Sequence, residues 1–409
     1  MATGAQAISV AGGFAYVRGE PAPALPPPFA STGLIGWGRA NLFGTPLNAV
    51  LTVLTVLLLV FALPPVVRFL LIDAVWSGAD REACLASAAQ PHVGACWAFV
   101  REHLAYFTYG SYPIDGRWRV DIFFAMLAFG IGWLLWLDAP RRGLGAFYML
   151  VVLPIVSFFL LYGIPSVAID ARIPLGVTDW HVRWHFAGLG VVDTSRWGGM
   201  MITLVVAVVG IVTSMPLGIL LALGRRSKMP AVKTLSVIFI EFVRGVPLIT
   251  VLFMASVMLP LFVPPAWAPD KLVRALVGVS LFSSAYMAEV VRAGLQAVPK
   301  GQWEASSALG LGYWQTLHHV VLPQALRVTI PNIVNSYVAL FKDTTLVFFV
   351  GIFDFLKTIE TARANPVWAT PVTSASGYAF AALVYFVCCY SMSRYATGVE
   401  RRLAVGDRR

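Results

Sequence analysis

The most constraining feature of this 409-residue sequence is a set of five long segments that contain no charged residue. Each segment is at least 25 residues long, and about 20 apolar residues suffice for a helix to cross a bilayer. Charged residues make up 12% of the chain and apolar residues 58%, which is too little charge for the surface of a soluble enzyme. The sequence therefore predicts an all-α polytopic membrane protein. The five segments are residues 40–67, 143–169, 197–224, 245–269 and 364–393.

Length and hydropathy together predict about eight membrane-spanning helices, so that both chain ends lie on one side. We count 16 Lys and Arg on that side and 11 on the other, and the positive-inside rule then predicts cytoplasmic N and C termini. Loops at 74–119 and 168–198 would face the opposite side. The predicted helices span residues 48–71, 120–138, 147–167, 199–223, 233–260, 272–293, 331–353 and 376–395.

The predicted outer loops contain cysteines and histidines that could form a disulfide or bind a metal. Cys84 and Cys96 share one exported loop, where an oxidising compartment would preserve a disulfide; two free thiols are the alternative. His181 and His185 have i, i+4 spacing but no nearby third ligand, so no metal site is predicted. Cys388 and its neighbour Cys389 are expected to be apolar filling within the last helix.

Several activities are excluded by missing motifs. The sequence contains no G-x-x-x-x-G-K-[ST] nucleotide loop, no H-E-x-x-H and no G-x-S-x-G. We therefore predict no catalytic residue and no cofactor held by this chain. The net charge of +10 comes from basic residues in short connections between helices, which is typical of membrane proteins and argues against nucleic-acid binding.

The polar region 292–331 lies between two predicted membrane helices and is too polar to span. Glu304 to Leu309 predicts a short helix, and Gly310 can end it with a positive φ. A second short amphipathic piece would follow and stop at Pro323. From the residues alone, this region is either a projecting helix–Gly–helix element or a loop lying on lipid.

Specific blocks in this region resemble a known family. Glu304-Ala305, then Gly310, then Val320-x-Leu322-Pro323 resembles the EAA loop of ABC importer permeases, with Ser306 in place of a second Ala. The flanking blocks resemble the polar amino acid branch of that family, and two blocks near Asp73 and Cys96 resemble its M-type subunits in general L-amino acid transporters. The flanking blocks are residues 241–248, 285–289, 299–302 and 342–346.

The resemblance implies a C-terminal five-helix permease core of the MetI-like, type I importer class, carrying L-amino acids from periplasm to cytoplasm across a bacterial inner membrane. It implies a homologous second permease, two copies of an ABC ATPase that bind ATP and Mg, and a periplasmic binding protein. The ATPase-coupling residues would be Glu304, Ala305, Ser306, Leu309, Gly310 and Pro323.

This resemblance also divides the chain into four regions. A cytoplasmic tail would be followed by an extension with three membrane helices and two periplasmic loops, then by the permease core with a cytoplasmic coupling loop at 295–327, and finally by a short tail. The boundaries are 1–47, 48–198, 199–400 and 401–409.

Lys342 and Asp343 are predicted near the middle of a membrane helix, where each charge costs about 2.5–3.5 kcal/mol in contact with lipid. They should therefore face protein or water. Neighbouring residues lie about 100° apart around a helix, so one could line a substrate path while the other pairs with another helix; a purely structural role for both is the alternative. Further path candidates are Thr344, Asn335, Thr250 and Met254, with Asn332 and Ser336 as additional polar groups.

Two helix ends contain charged pairs that could act as a gate or as structural supports. Glu241 can reach Arg244 at i, i+3 spacing, and Gly245 with Pro247 predicts a kink. Glu289 and Arg292 repeat the same spacing in the next helix.

A stand-alone, ion-coupled amino acid transporter is the alternative function. Such a protein often shows inverted repeats with broken helices, and the two halves of this sequence show no such repeat.

Overall fold

Helices account for nearly all regular structure in the computed structural model of the protein. The chain divides into two compact units, Met1–Ile72 and Asp73–Arg409. The structure describes residues 8–10, 13–15, 33–86, 91–136, 141–164, 167–175, 178–186, 188–264 and 267–406.

The first unit is dominated by one long apolar helix. α2 (Pro46–Val67) begins where the Thr45 hydroxyl accepts the Asn48 N–H, and it continues through a π-helical turn at Arg68–Ile72. It is long and apolar enough to span a membrane, close to the predicted 48–71. Three smaller elements precede it: β1 (Ile8–Val10), β2 (Gly13–Ala15) and α1 (Gly33–Leu42).

The second unit begins with a folded segment where the sequence predicted a loop. We call its described residues, 73–86 and 91–109, the disulfide cap. Cys84 and Cys96 are buried and joined by a disulfide, with Cα atoms 5.8 Å apart. α3 (Trp97–Tyr109) follows directly, and the Cys96 N–H donates to the Ser376 hydroxyl at 2.7 Å.

A close backbone approach fixes the cap against the rest of the unit. Gly110, with φ +61°, ends α3 and lies directly against Gly198, while Gly199, with φ +65°, lies against the Phe107 carbonyl. A side chain at Gly110 would clash with the backbone of Gly198. Only glycine permits both the positive φ and this contact.

Two membrane-length helical spans follow the cap. α4 (Arg117–Leu135) is close to the predicted 120–138. The second span, predicted at 147–167, is made of α5 (Arg142–Phe147), a π-helical turn and α6 (Leu153–Tyr162). An antiparallel hairpin, β3 (Val167–Leu175) with β4 (Thr178–Phe186), comes next. The side chains of His181 and His185 lie outside the described residues.

The predicted helix 233–260 is two helices rather than one. α8 (Pro230–Gly245) ends at Gly245, and α9 (Leu248–Phe253) starts after Pro247 with a bend of 108° between the two. Pro247 has no N–H to continue the backbone ladder, and Val246 is extended. A π-helical turn and α10 (Leu259–Phe262) complete this span.

The described residues therefore contain seven membrane-length helices, or eight if the bent pair counts as one span. Two long helices, α7 (Gly199–Arg225) and α11 (Lys271–Ala297), pack along their lengths in the second unit. The Thr213 hydroxyl of α7 donates to the Ser280 hydroxyl of α11 at 2.8 Å.

The predicted stop at Pro323 and the predicted start at 331 are both wrong. One continuous helical segment runs from Tyr313 to Val350. Pro323 does not interrupt it, because this proline follows a π-helical turn and lies in the first turn of the next α-helix, where its missing N–H is tolerated. Lys342 and Asp343 thus end the α-helical part instead of lying at its middle. The segment contains α13 (Tyr313–Thr316), α14 (Leu322–Asp343) and a 3₁₀ turn at Thr344–Val350.

The chain continues with a short strand and two helices. β5 (Phe353–Asp354) leads into α15 (Phe355–Arg363), which the sequence did not predict. The last helix, α16 (Pro371–Gly406), is longer than the predicted 376–395.

Candidate functional site

A short helix with a well-defined end stands between the two membrane helices α11 and α14. α12 (Lys300–Ala308) is followed by Gly310 in the left-handed conformation, φ +76°. The Leu311 N–H donates to the Ser306 carbonyl at 3.1 Å, and the Gly310 N–H to the Ser307 carbonyl at 3.0 Å. These two bonds form a Schellman motif. The observed helix thus begins one turn earlier than the predicted helix Glu304–Leu309.

The tip of this element is exposed. Glu304, Ala305 and Gly310 are open to solvent, and Leu309 is 79% exposed. Ser306 differs from the other coupling candidates, because it is buried and its hydroxyl donates to the Gln302 carbonyl at 2.7 Å. An exposed large apolar side chain on a rigid turn is suited to contact with another protein.

Aromatic residues that the sequence interpretation had not singled out attach the element to the core. Trp303 stacks on Tyr313 with ring centroids 6.2 Å apart. The guanidinium of Arg226, just after α7, lies 5.4 Å from the centre of the Trp303 ring and also donates to the Leu295 carbonyl at 3.2 Å. Movement of α12 is therefore linked to α7 and α11.

Five charged residues meet where α7, α8 and α11 come together; we call them the ionic cluster. Glu289 accepts from Arg292 at 2.7 Å and from Arg225 at 2.9 Å, and Arg244 lies 3.7 Å away. Arg225 also donates to Glu241 at 2.7 Å. Glu241 and Arg244, predicted as partners within one helix, thus pair with groups on neighbouring helices, whereas the predicted Glu289–Arg292 pair is present.

A cavity of about 530 Å³ with several polar lining groups lies between α7, α11 and α14. Asn335 and the half-buried Asp343, both candidate path residues, line it, as do the additional polar residues Asn332 and Ser336. Ser214, Ser283, Tyr286 and Tyr337 contribute further polar groups that the sequence interpretation had not assigned. Tyr286 lies in a motif already noted, but only the packing of three helices shows which of these residues meet.

The remaining path candidates lie elsewhere in the described part of the chain. Lys342 is exposed, and Thr344 is buried with its hydroxyl donating to the Phe341 carbonyl at 2.8 Å. Thr250 and Met254 are exposed on the span that follows the 108° bend. The structure thus separates Asp343, which faces the cavity, from its neighbour Lys342.

A buried carboxyl outside the membrane spans was also missed. Asp354 caps α15, where its oxygens accept the N–H groups of Leu356 at 3.0 Å and Lys357 at 3.1 Å. Burial raises the pKa of Asp354 from 3.8 to about 7. The Thr203 hydroxyl accepts the Phe355 N–H at 2.9 Å, which attaches this cap to α7.

Comparisons with known proteins give consistent similarities. Residues 214–405 match the family described as binding-protein-dependent transport system inner membrane component. The chain is 46% identical to the inner membrane amino-acid ABC transporter permease protein YhdY of Escherichia coli (strain K12), over 90% of this chain and 93% of that one.

Two further similarities extend this comparison. The chain is 39% identical to the glutamate/glutamine/aspartate/asparagine transport system permease protein BztC of Rhodobacter capsulatus, over 95% of this chain and 98% of that one. A solved structure of an amino acid ABC transporter with histidines is 26% identical over 50% of this chain and 92% of that one, with a TM-score of 0.44.

Proposed function

Since the chain belongs to the family of inner membrane components of binding-protein-dependent transport systems, and is the permease subunit of an ABC importer, we propose that it carries L-amino acids from periplasm to cytoplasm by alternating access. The relatives named as amino-acid and as glutamate, glutamine, aspartate and asparagine permeases support this substrate class.

The observation that carries the proposal is the exposed tip at Leu309 and Gly310, held by the Schellman bonds and linked through Trp303 to Arg226. A rigid short helix transmits motion as a body. We propose that this tip fits into a cleft of an ABC ATPase. The ATPase is present in two copies, which bind ATP and Mg. A homologous second permease and a periplasmic amino acid binding protein complete the complex.

The cavity between α7, α11 and α14 supplies groups that suit an amino acid. Asp343 would attract the α-ammonium group, and the amides of Asn332 and Asn335 can donate to the carboxylate. Lys342, exposed beside the cavity, would face the second permease. Asp343, Asn335 and the adjoining hydroxyls thus form this subunit's share of the substrate path.

The ionic cluster is proposed as part of the inner gate. Its side chains are partly exposed, so that water can replace individual ion pairs at low cost when helices move. Arg244 sits next to the break at Gly245 and Pro247, where α8 and α9 can change their angle without breaking a continuous backbone ladder.

The orientation follows from these assignments. The coupling tip and the ionic cluster would lie on the cytoplasmic side together with both chain termini, in agreement with the Lys and Arg bias. The disulfide cap would then lie in the periplasm, where a disulfide persists.

Reconstitution tests this function directly. Proteoliposomes containing this chain, its partner permease and the ATPase should accumulate labelled L-amino acids under two conditions. ATP must be inside the vesicles, on the same side as the ATPase, and the binding protein must be present outside. Asp343→Asn should keep the complex assembled and lower uptake at least tenfold, while exposed Lys342→Met should lower it less. Uptake by this chain alone, driven by a sodium or proton gradient, would contradict the proposal.

A further inference from the structure

A second cavity of about 360 Å³ lies on the other side of α7, between the extension helices and the core. Its walls come from α4, α6, α7 and α11. Each of these helices belongs to a segment long and apolar enough to span a membrane. The cavity therefore lies in a seam at membrane depth, where the surrounding solvent is lipid.

The body of this cavity is apolar. Phe123, Leu153, Phe158, Val205 and Leu276 are among its lining residues. Apolar cavities of this kind exclude water and accept apolar molecules, because water would lack polar partners there. At about 30 Å³ for a water-sized group, the space accommodates roughly a dozen methylene groups.

One end of the cavity is polar. The Thr194 hydroxyl donates to Asp270 at 2.8 Å, and Asp270 also accepts the Leu272 N–H at the start of α11. Tyr162 and Trp197 line the same end. Tyr and Trp beside a polar group are typical of the level at which lipid headgroups begin. The cavity thus has the polarity profile of a lipid.

Ser157 gives independent evidence for a ligand. Its side chain is 5% exposed and lines the cavity, and its hydroxyl has no hydrogen-bond partner among the described residues. The hydroxyls of Ser214 and Ser284, in comparison, donate to carbonyls of their own helices. A buried hydroxyl of this kind requires an acceptor to offset its loss of water, and a fatty-acyl ester carbonyl is one.

We propose that this cavity binds one acyl chain of a bilayer phospholipid, whose ester carbonyl accepts a hydrogen bond from Ser157. Ser157 precedes Tyr162 by five residues, or about 7 Å along a helix, so the headgroup lies at the level of Thr194 and Asp270. The chain extends past Leu153 and fills the seam between extension and core. The bound lipid keeps the extension packed on α7 while the core changes conformation.

Photo-crosslinking of the full chain in its assembled complex tests this site. The probe is a phosphatidylethanolamine with a diazirine in the middle of one acyl chain, incorporated into nanodiscs. Labelling should be enriched at least fivefold at the buried Leu153 over the exposed Ile155 of the same helix. Equal labelling of both faces in the wild-type protein would overturn the proposal.

Variants on one helix separate filling of the cavity from a general effect. Ser157→Phe should reduce labelling of the cavity face at least fivefold, and Ser157→Ala about twofold through loss of the hydroxyl. Ile155→Phe places the same phenylalanine side chain on the exposed face and should leave labelling of the cavity face unchanged. Unreduced labelling in Ser157→Phe would overturn the proposal, as would labelling by diazirine palmitic acid without any by the phospholipid.

Discussion

The ionic cluster and the disulfide cap meet α7 at its opposite ends, about 40 Å apart, and are stabilised in different ways. At one end, five partly exposed charges on three helices exchange ion pairs around Glu289. At the other, a disulfide, a glycine contact between Gly110 and Gly198, and buried aromatic residues hold the backbone together.

This difference indicates which end moves. Ion pairs with water nearby can be broken and reformed with little change in free energy, whereas a disulfide and a close-packed contact have one arrangement. We infer that conformational change is concentrated near the coupling tip and that the cap serves as a fixed support.

Gly310→Val should lower uptake at least tenfold without disrupting the membrane helices. No atom lies within 4 Å of the position of the added Cβ, so the damage comes from φ +76°, which a β-branched residue resists. Uptake and ATPase activity stimulated by loaded binding protein should be measured.

Gly312→Val is the matched control, because Gly312 has φ −67° and an added Cβ would meet only the side-chain oxygen of Gln315, at an ordinary contact distance of 3.6 Å. It should retain most activity. Wild-type coupling in Gly310→Val, or failure of that variant to accumulate in the membrane, would remove Gly310 from the coupling role.

Removing the disulfide should reduce stability but leave coupling intact. Cys84→Ala with Cys96→Ala opens a loop of 12 residues, which costs about 2–3 kcal/mol in loop-closure entropy. Thermal unfolding of the purified complex measures this, and Cys388→Ala, at a free cysteine, should change little. If coupling were lost before stability, the cap would have more than a supporting role.

Glu289→Gln should have a larger effect than Glu241→Gln. The Glu289 side chain is 15% exposed and contacts three arginines, whereas Glu241 is 53% exposed and contacts Arg225. We expect about 1–3 kcal/mol of destabilisation for the former and under about 1 kcal/mol for the latter. Melting curves at low and high salt give both values; equal effects would argue against Glu289 as the centre of the cluster.

A separate prediction concerns the pH dependence of stability that comes from Asp354. Because its pKa rises from 3.8 to about 7 on folding, the folded state binds the proton more tightly, and this group's contribution to stability falls as pH increases from about 4 to about 7. Asp354→Asn keeps one oxygen acceptor for the start of α15 and should remove most of the pH dependence of the melting temperature over that range. An unchanged slope in the variant would assign the pH dependence to other groups.

Uncharged length alone predicted α7 and α16, whereas α11 and α14 carry charges and were not secured by length. The positive φ of Gly310 was also predictable, because a glycine after a short helix has few alternatives. The break between α8 and α9 was predicted only as a kink, since local sequence does not fix an angle. α3 was missed because its charged residues resemble a loop, although Phe99, His103 and Phe107 recur at four-residue spacing and their rings contact one another.

The cavity beside Asp343 was only partly predictable. Asn335 and Asp343 were singled out from one helix, but Ser214 and Tyr286 belong to two others. Which side chains of three helices face each other depends on their rotation in the packed structure, and a single sequence contains no direct signal for it. The same holds for Glu241, whose partner Arg225 comes from a different helix.

Photo-crosslinking from the two ends tests the central claim most directly. A photoreactive amino acid would replace Leu309 at the coupling tip or the exposed Ser111 just beyond the disulfide cap, in the assembled transporter. We predict that position 309 crosslinks to the ATPase and position 111 does not. Crosslinking of the ATPase to position 111, or none from position 309 in an actively transporting complex, would contradict the account.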